Sequence, residues 1–241
     1  MKSEPMQEKT KVRRMFDAVA PRYDFLNALL SGGQDRPWRR FLTRQVTAQE
    51  PRPLRLLDLA TGSGEVLRSL RDARAYTGLG VGADFCLPML AEARPKGLGP
   101  LVLADGLRLP FADGSFDAAT IAFGLRNLED RLAGLRELRR VLAPGGALYV
   151  LEFSHPWRVL APFYYFYLRH FLPTIAGWLG APREAYAYLG DSIRAFPDQR
   201  ALAALLREAG FDTVNWWNRT AGVVAIHRAC RNRTELEPGP E

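Results

Sequence analysis

The chain has 241 residues, 47% of them hydrophobic, which is enough to bury a full core without metal or disulfide staples. Its two cysteines, Cys86 and Cys230, stand far apart, which excludes a disulfide framework or a cysteine metal site and makes a reduced, cytoplasmic compartment the simplest reading. The formal net charge is +7, the charged N-terminus MKSEPMQEKTKVRR lacks the apolar stretch of a secretory signal, and no window of 18 uninterrupted apolar residues reads as a membrane span.

In chain order, Lys11–Val46 reads as helical, broken at Pro21 and Gly32-Gly33, and residues 1–48 are predicted to form an N-terminal helical lid. Residues 49–230 then alternate short apolar runs with helical patterns. Leu54–Leu59, Thr77–Ala83, Leu101–Ala104, Phe116–Phe123 and Ala147–Phe153 read as strands. Glu65–Arg71, Pro88–Ala93 and Arg131–Leu142 read as helices, the last ended by Pro144-Gly145-Gly146. An aromatic helical insert, within residues 157–190, follows the fifth strand. Asp198–Glu208 is predicted helical and stops at Gly210. Asp212–Trp217 and Gly222–His227 are strands whose short connection makes them antiparallel. Residues 231–241 read as a disordered tail. The pattern predicts an α/β chain with a seven-stranded, mostly parallel, Rossmann-like sheet and an antiparallel last strand, an architecture that resembles class I methyltransferases.

The sequence DLATGSGE, Asp58 to Glu65, is a strand–turn–helix signal in which Gly62 and Gly64 bring the backbone close to a ligand. Asp84 lies 20 residues beyond Gly64 and has the chemistry to accept both hydroxyls of a ribose. A dinucleotide fingerprint needs a third glycine, and that place holds Leu67; a Walker loop needs Gly-Lys-Ser/Thr, which is absent. Asp105 suits an adenine amino group and the Gly106 N–H a ring nitrogen. Asp58, Gly62, Gly64, Asp84, Asp105 and Gly106 are therefore the predicted cofactor residues, with S-adenosylmethionine as the cofactor. Pro110–Asp117 reads as a turn and strand entry.

TIAFGLRN at Thr120–Asn127 is where the sequence resembles a named family, the quinone-ring C-methyltransferases of menaquinone and ubiquinone biosynthesis. The resemblance takes in Phe16–Arg40, Asp58–Glu65, Arg140–Pro156, Tyr186–Pro197 and Asn218–His227. It implies methylation of a ring carbon of a polyprenyl quinol, without metal, and cofactor contacts at Ser63, Asp84 and Asp105-Gly106. The family often has Asn at the place of Asp105, Ser at that of Ala122 and Gly at that of Thr61.

Such chemistry needs a stabilised phenolate-like oxygen and an aligned in-line displacement. Arg126 is assigned to oxyanion stabilisation or to orienting a water, since an arginine is no simple base, and Asn127 to a hydrogen bond with a quinol oxygen. Tyr23 is assigned to a lid over the site, against a reading in which it only packs the N-terminal helix. The three histidines read as packing or exposed residues. The insert at Trp157–Gly180 is too interrupted to span a bilayer; it suits a membrane surface, a roof over a prenyl tunnel, a homodimer face or plain core. The basic charge also fits nucleic acid, yet no Asn/Asp-Pro-Pro-aromatic motif of nucleobase methyltransferases appears, and no nucleic-acid partner is expected. Methylation of another small aromatic or lipid acceptor, and a non-catalytic cofactor-binding protein, stand as alternatives. The expected location is cytoplasmic, at the inner face of the membrane.

Overall fold

A computed structural model describes residues 28–29, 31–49, 55–73, 78–178 and 183–232. Seven strands form one sheet in the order β3-β2-β1-β4-β5-β7-β6. They are β1 (Arg55–Leu59), β2 (Leu79–Asp84), β3 (Leu101–Leu103), β4 (Phe116–Ala122), β5 (Leu142–Phe153), β6 (Thr213–Arg219) and β7 (Val224–Cys230). β7 runs antiparallel to both β5 and β6, and the remaining pairings are parallel. The chain order reverses between β1 and β4, so a crevice opens beyond the carboxyl ends of these strands.

Strand side chains alternate between two buried layers, as the period of two requires. On one face Leu57, Leu59, Ile121, Leu148 and Val150 pack with Leu135 and Leu138 of α4 (Arg131–Val141) and Leu202 and Leu206 of α8 (Gln199–Glu208). On the other, Leu56, Tyr149, Leu151 and Ile226 pack with Trp38, Leu42 and Val46 of α1 (Asp35–Gln49) and with Val66, Leu67 and Leu70 of α2 (Glu65–Asp72). The second half of the predicted lid segment is thus a core helix. Residues 1–27, with Tyr23, lie outside the described residues.

α3 (Leu87–Ala93) follows β2, and Asp130 and Asp198 cap α4 and α8 through the N–H groups of Ala133 and Ala201. The insert comprises α5 (Ala161–Phe166), a π-helical turn (Tyr167–Phe171), α6 (Leu172–Trp178) and α7 (Arg183–Ala195), which share a small core of Leu168, Leu172, Tyr186 and Ile193. The Pro110–Asp117 segment is structural, as expected: Arg140 donates to the carbonyls of Leu109 and Phe111 and pairs with Asp113.

Several boundaries differ from the sequence reading. β5 begins at Leu142 rather than Ala147, because Pro144-Gly145-Gly146 does not stop the chain but bulges inside the strand. The Gly145 N–H donates to the Arg231 carbonyl and the Arg231 N–H to the Gly146 carbonyl, both at 2.9 Å, so the strand edge extends to Arg231. β6 and β7 are also longer than read, and the turn between them is Thr220–Gly222. A Cβ at Gly146 would stand 2.8 Å from the Ala143 carbonyl and 3.0 Å from that of Asp117. Gly146→Ala is expected to lower unfolding stability by about 1–3 kcal/mol in urea titration.

Candidate active site

The site is built from the loops at the carboxyl edge of β1, β2, β4 and β5. Asp58 near the end of β1 is 1% exposed. Its carboxylate accepts from the Thr61 hydroxyl at 2.7 Å and from the Thr120 hydroxyl of β4, also at 2.7 Å. Burial raises its pKa to about 6, against the opposing pull of these two hydrogen bonds. Asp58 thus shapes the loop from within, tying it to β4.

The loop then turns through Ala60, Gly62 and Gly64 at φ of 53°, 57° and 83°. Gly62 and Gly64 need no side chain there, and a Cβ on Gly64 would strike Leu98 at 2.5 Å. The Gly62 N–H donates to Asp84 Oδ2 at 2.8 Å, and the Cys86 N–H to Asp84 Oδ1 at 2.9 Å. Burial pushes the Asp84 carboxyl above its usual range, while backbone N–H groups of Cys86, Gly62 and Phe85 pull it back. A carboxylate has about four acceptor positions, and the three backbone N–H groups leave Asp84 about one for a ribose hydroxyl. Lys96 donates to the Ser63 carbonyl at 2.8 Å and pairs with Glu65 at 2.9 Å, which fixes the start of α2. Asp105 Oδ1 accepts from the Leu107 N–H at 3.1 Å, holding the turn that presents the Gly106 backbone.

On the other side of the crevice, Leu125–Asn127 forms a 3-10 turn after β4. Arg126 is buried and donates through Nη1 to Glu152 Oε1 and to the Phe123 carbonyl, each at 2.7 Å. The Arg126 backbone N–H reaches Glu152 Oε2 at 3.3 Å. Its guanidinium carbon lies 5.4 Å from the Phe153 ring centroid. Glu152 is 1% exposed and was not picked out in the sequence, although a lone acid in the apolar run ALYVLEF was a signal for it. Thr61 and Thr120 were missed as well, because their role depends on Asp58 in a neighbouring strand. Asn127 sits in the same turn as Arg126, half-buried.

The structure therefore ties Gly62 to Asp84 at the carboxyl ends of β1 and β2, and holds Arg126, with Asn127 in the same turn, at the carboxyl ends of β4 and β5. Among the described residues no group of three or more His, Cys, Asp or Glu side chains is placed to hold a metal ion. His155 bridges Tyr165 and the Phe196 carbonyl, His227 is buried against the Gln199 carbonyl, and His170 is exposed. None of the three faces the glycine loop.

Because the Asp58 pKa is raised on folding, its contribution to stability is fully present below about pH 4 and is lost as pH rises through 6. The difference amounts to about 3 kcal/mol at most. Stability measured by denaturation should therefore improve in Asp58→Asn relative to the unaltered chain as pH goes from 4 to 7.

The sequence matches the ubiE/COQ5 methyltransferase family over residues 4–231. It is 47% identical over 225 residues to a protein of Corynebacterium kroppenstedtii named demethylmenaquinone methyltransferase, covering 92% of this chain and 95% of that one. A protein of the same name from Mycolicibacterium vanbaalenii is 47% identical over 222 residues, with 92% and 95% covered. Among solved structures, a SAM-dependent methyltransferase from Thermotoga maritima, titled a possible histamine N-methyltransferase, superposes with a TM-score of 0.62 at 18% identity, covering 92% of this chain and 100% of that chain. The [4+2]-cyclase SpnF superposes with a TM-score of 0.65 at 21% identity, covering 92% and 95%. These two likenesses establish the fold and not the reaction, since one fold carries both titles.

Proposed function

The chain belongs to the ubiE/COQ5 methyltransferase family, and on that premise we propose that it methylates a ring carbon of a prenylated quinol, demethylmenaquinol to menaquinol, with S-adenosylmethionine as methyl donor. Supporting the reading are the glycine loop tied to Asp84 beyond β1 and β2 and the buried Arg126–Glu152 pair beyond β4 and β5, in a chain 47% identical to proteins named for that reaction. A ubiquinone precursor is the second reading; the names of these relatives favour the menaquinone one.

The residues fit the cofactor. Gly62 and Gly64 give the loop its left-handed turns, and the buried Asp84 keeps an acceptor position for a ribose hydroxyl. The Asp105-Gly106 turn faces adenine in this reading. S-adenosylmethionine supplies a methyl group on a sulfonium, open to in-line attack. The chain's own part is alignment and charge. A phenolic hydroxyl that releases its proton to water makes the ring carbon beside it a nucleophile, the methylated carbon regains aromaticity by losing its ring proton to water, and Arg126 stands as the cation to stabilise the oxygen. Asn127 holds a second oxygen of the ring, and Tyr23 is retained as a closing residue.

The outer face of the insert supports a membrane surface as partner. Phe163, Phe166, Phe171 and Trp178 are all at least half exposed, and Arg158 and Arg169 lie among them. No helix of the described residues is long and apolar enough to cross a membrane. An aromatic face edged with arginine docks in the headgroup layer of anionic lipid.

Expression in a methyltransferase-null host, with quinones identified by mass spectrometry, should restore menaquinone; restoration of no quinone overturns the reading. Asp84→Ala should weaken S-adenosylmethionine binding at least about tenfold by calorimetry, the loss of a charged hydrogen-bonding group. Phosphatidylglycerol vesicles should co-sediment the chain at low salt, and the triple change Phe163→Ser, Phe171→Ser, Trp178→Ser should abolish this. Absence of vesicle binding together with a concentration-dependent dimer lost in the triple variant would assign the face to a homodimer instead.

A further inference from the structure

Among the described residues seven buried side-chain polar atoms have no hydrogen-bond partner, and three of them belong to segments that follow β4 and β5: Arg126 Nε, Ser154 Oγ and the Tyr164 hydroxyl. They come from three separate segments. Arg126 lies in the turn after β4, Ser154 is two residues beyond Glu152, and Tyr164 projects from α5 of the insert. Tyr164 and Phe153 both pack against the small core of the insert, and the Arg126 guanidinium lies over the Phe153 ring. α7 packs against the Leu125–Asn127 turn, so the insert covers the carboxyl ends of β4 and β5.

Burying an unsatisfied donor is costly, and folded proteins rarely leave one without a reason. Here three lie in segments that follow β4 and β5. The neighbouring backbone is also strained: Phe123, immediately before the turn, has a φ of 56°. The rings of Phe123 and Phe153 lie 4.8 Å apart beside Arg126, and Trp38 packs on both.

We propose that the Tyr164 hydroxyl and Arg126 Nε–H together donate to the acceptor oxygen beside the ring carbon that is methylated. This makes Tyr164 a catalytic residue contributed by the insert, and Glu152 a positioning residue that holds the guanidinium with its Nε–H outward. Glu152 uses both oxygens on Arg126 and a third bond on the Phe153 N–H, so it locks the arginine rather than meeting the substrate. Burial pushes the Tyr164 phenol above its usual range, so it stays protonated near neutral pH and acts as a donor. Two donors on one oxygen favour its anionic form, which is the form that loads charge onto the ring. Ser154 has a hydroxyl to offer the same oxygen or a water beside it.

The inference rests on the methyltransferase reading above, and the experiment separates the two. Tyr164→Phe should lower kcat/KM for a short-tailed demethylmenaquinol about 10- to 100-fold. It should leave S-adenosylmethionine affinity unchanged and move the acid limb of the rate–pH profile to higher pH. Its melting temperature should hold or rise, because an unpartnered buried hydroxyl is removed. Independently of any variant, bound 1-naphthol, followed by its naphtholate absorbance, should ionise at lower pH on the protein than in water. Unaltered kcat/KM and pH profile in Tyr164→Phe would overturn the inference while leaving the methyltransferase reading intact. Bound 1-naphthol that titrates as in water would overturn it too, even if the variant does not fold. A wild-type chain that binds S-adenosylmethionine but methylates no quinol would instead overturn the function.

Discussion

The crevice depends on one buried carboxylate. Asp58 receives a hydroxyl hydrogen bond from Thr61 in its own loop and another from Thr120 in the neighbouring strand. An ionised carboxylate away from water is unstable without such partners, so the three side chains are constrained together. The consequence is that the loop after β1 and the end of β4 move as one piece. Asp84 then takes the next link by accepting the Gly62 N–H, which ties the same loop to β2. The loop is thereby held by the chain's own hydrogen bonds, and such rigidity suits a displacement whose rate depends on alignment.

The acceptor end is organised differently. The Arg126–Glu152 pair is buried, and a buried pair is weak evidence of stability because desolvation offsets most of its attraction. Its value lies in orientation, since Glu152 and the Phe123 carbonyl hold Nη1 and leave Nε without a partner. The insert in turn has two faces with opposite duties. Its inner side meets the turn after β4, and its outer side exposes Phe163, Phe171 and Trp178. An apolar acceptor that partitions into lipid would need both, one to receive the ring and one to approach the lipid.

Much of this was legible beforehand, for reasons tied to particular residues. The apolar strands of a mostly parallel sheet are short and nearly continuous, so Leu54–Leu59 and Phe116–Phe123 stood out. Gly62 and Gly64 carry positive φ, which few other residues adopt, so the turn announced itself. Pro144-Gly145-Gly146 misled because the same residues that end a helix also make a bulge, and only the pairing of Gly145 and Gly146 with Arg231 distinguishes the two. Thr61, Thr120 and Glu152 gave little local signal, since a hydroxyl or carboxylate declares its role only through a partner distant in sequence.

The sequence by itself determined the fold, the cofactor loop and the family, because all three rest on local rules: periodicity, backbone freedom at glycine, and motifs read in order. The tertiary structure alone decided which side chains share the crevice. Arg126 and Glu152 are separated by a helix and a strand, and Tyr164 comes from an insert with no place in the sheet. Their meeting depends on the parallel register of β4 and β5 and on how the insert packs above them. Long-range juxtaposition of this kind leaves no trace in local spacing, which is why the acceptor end of the site came into view only with the fold.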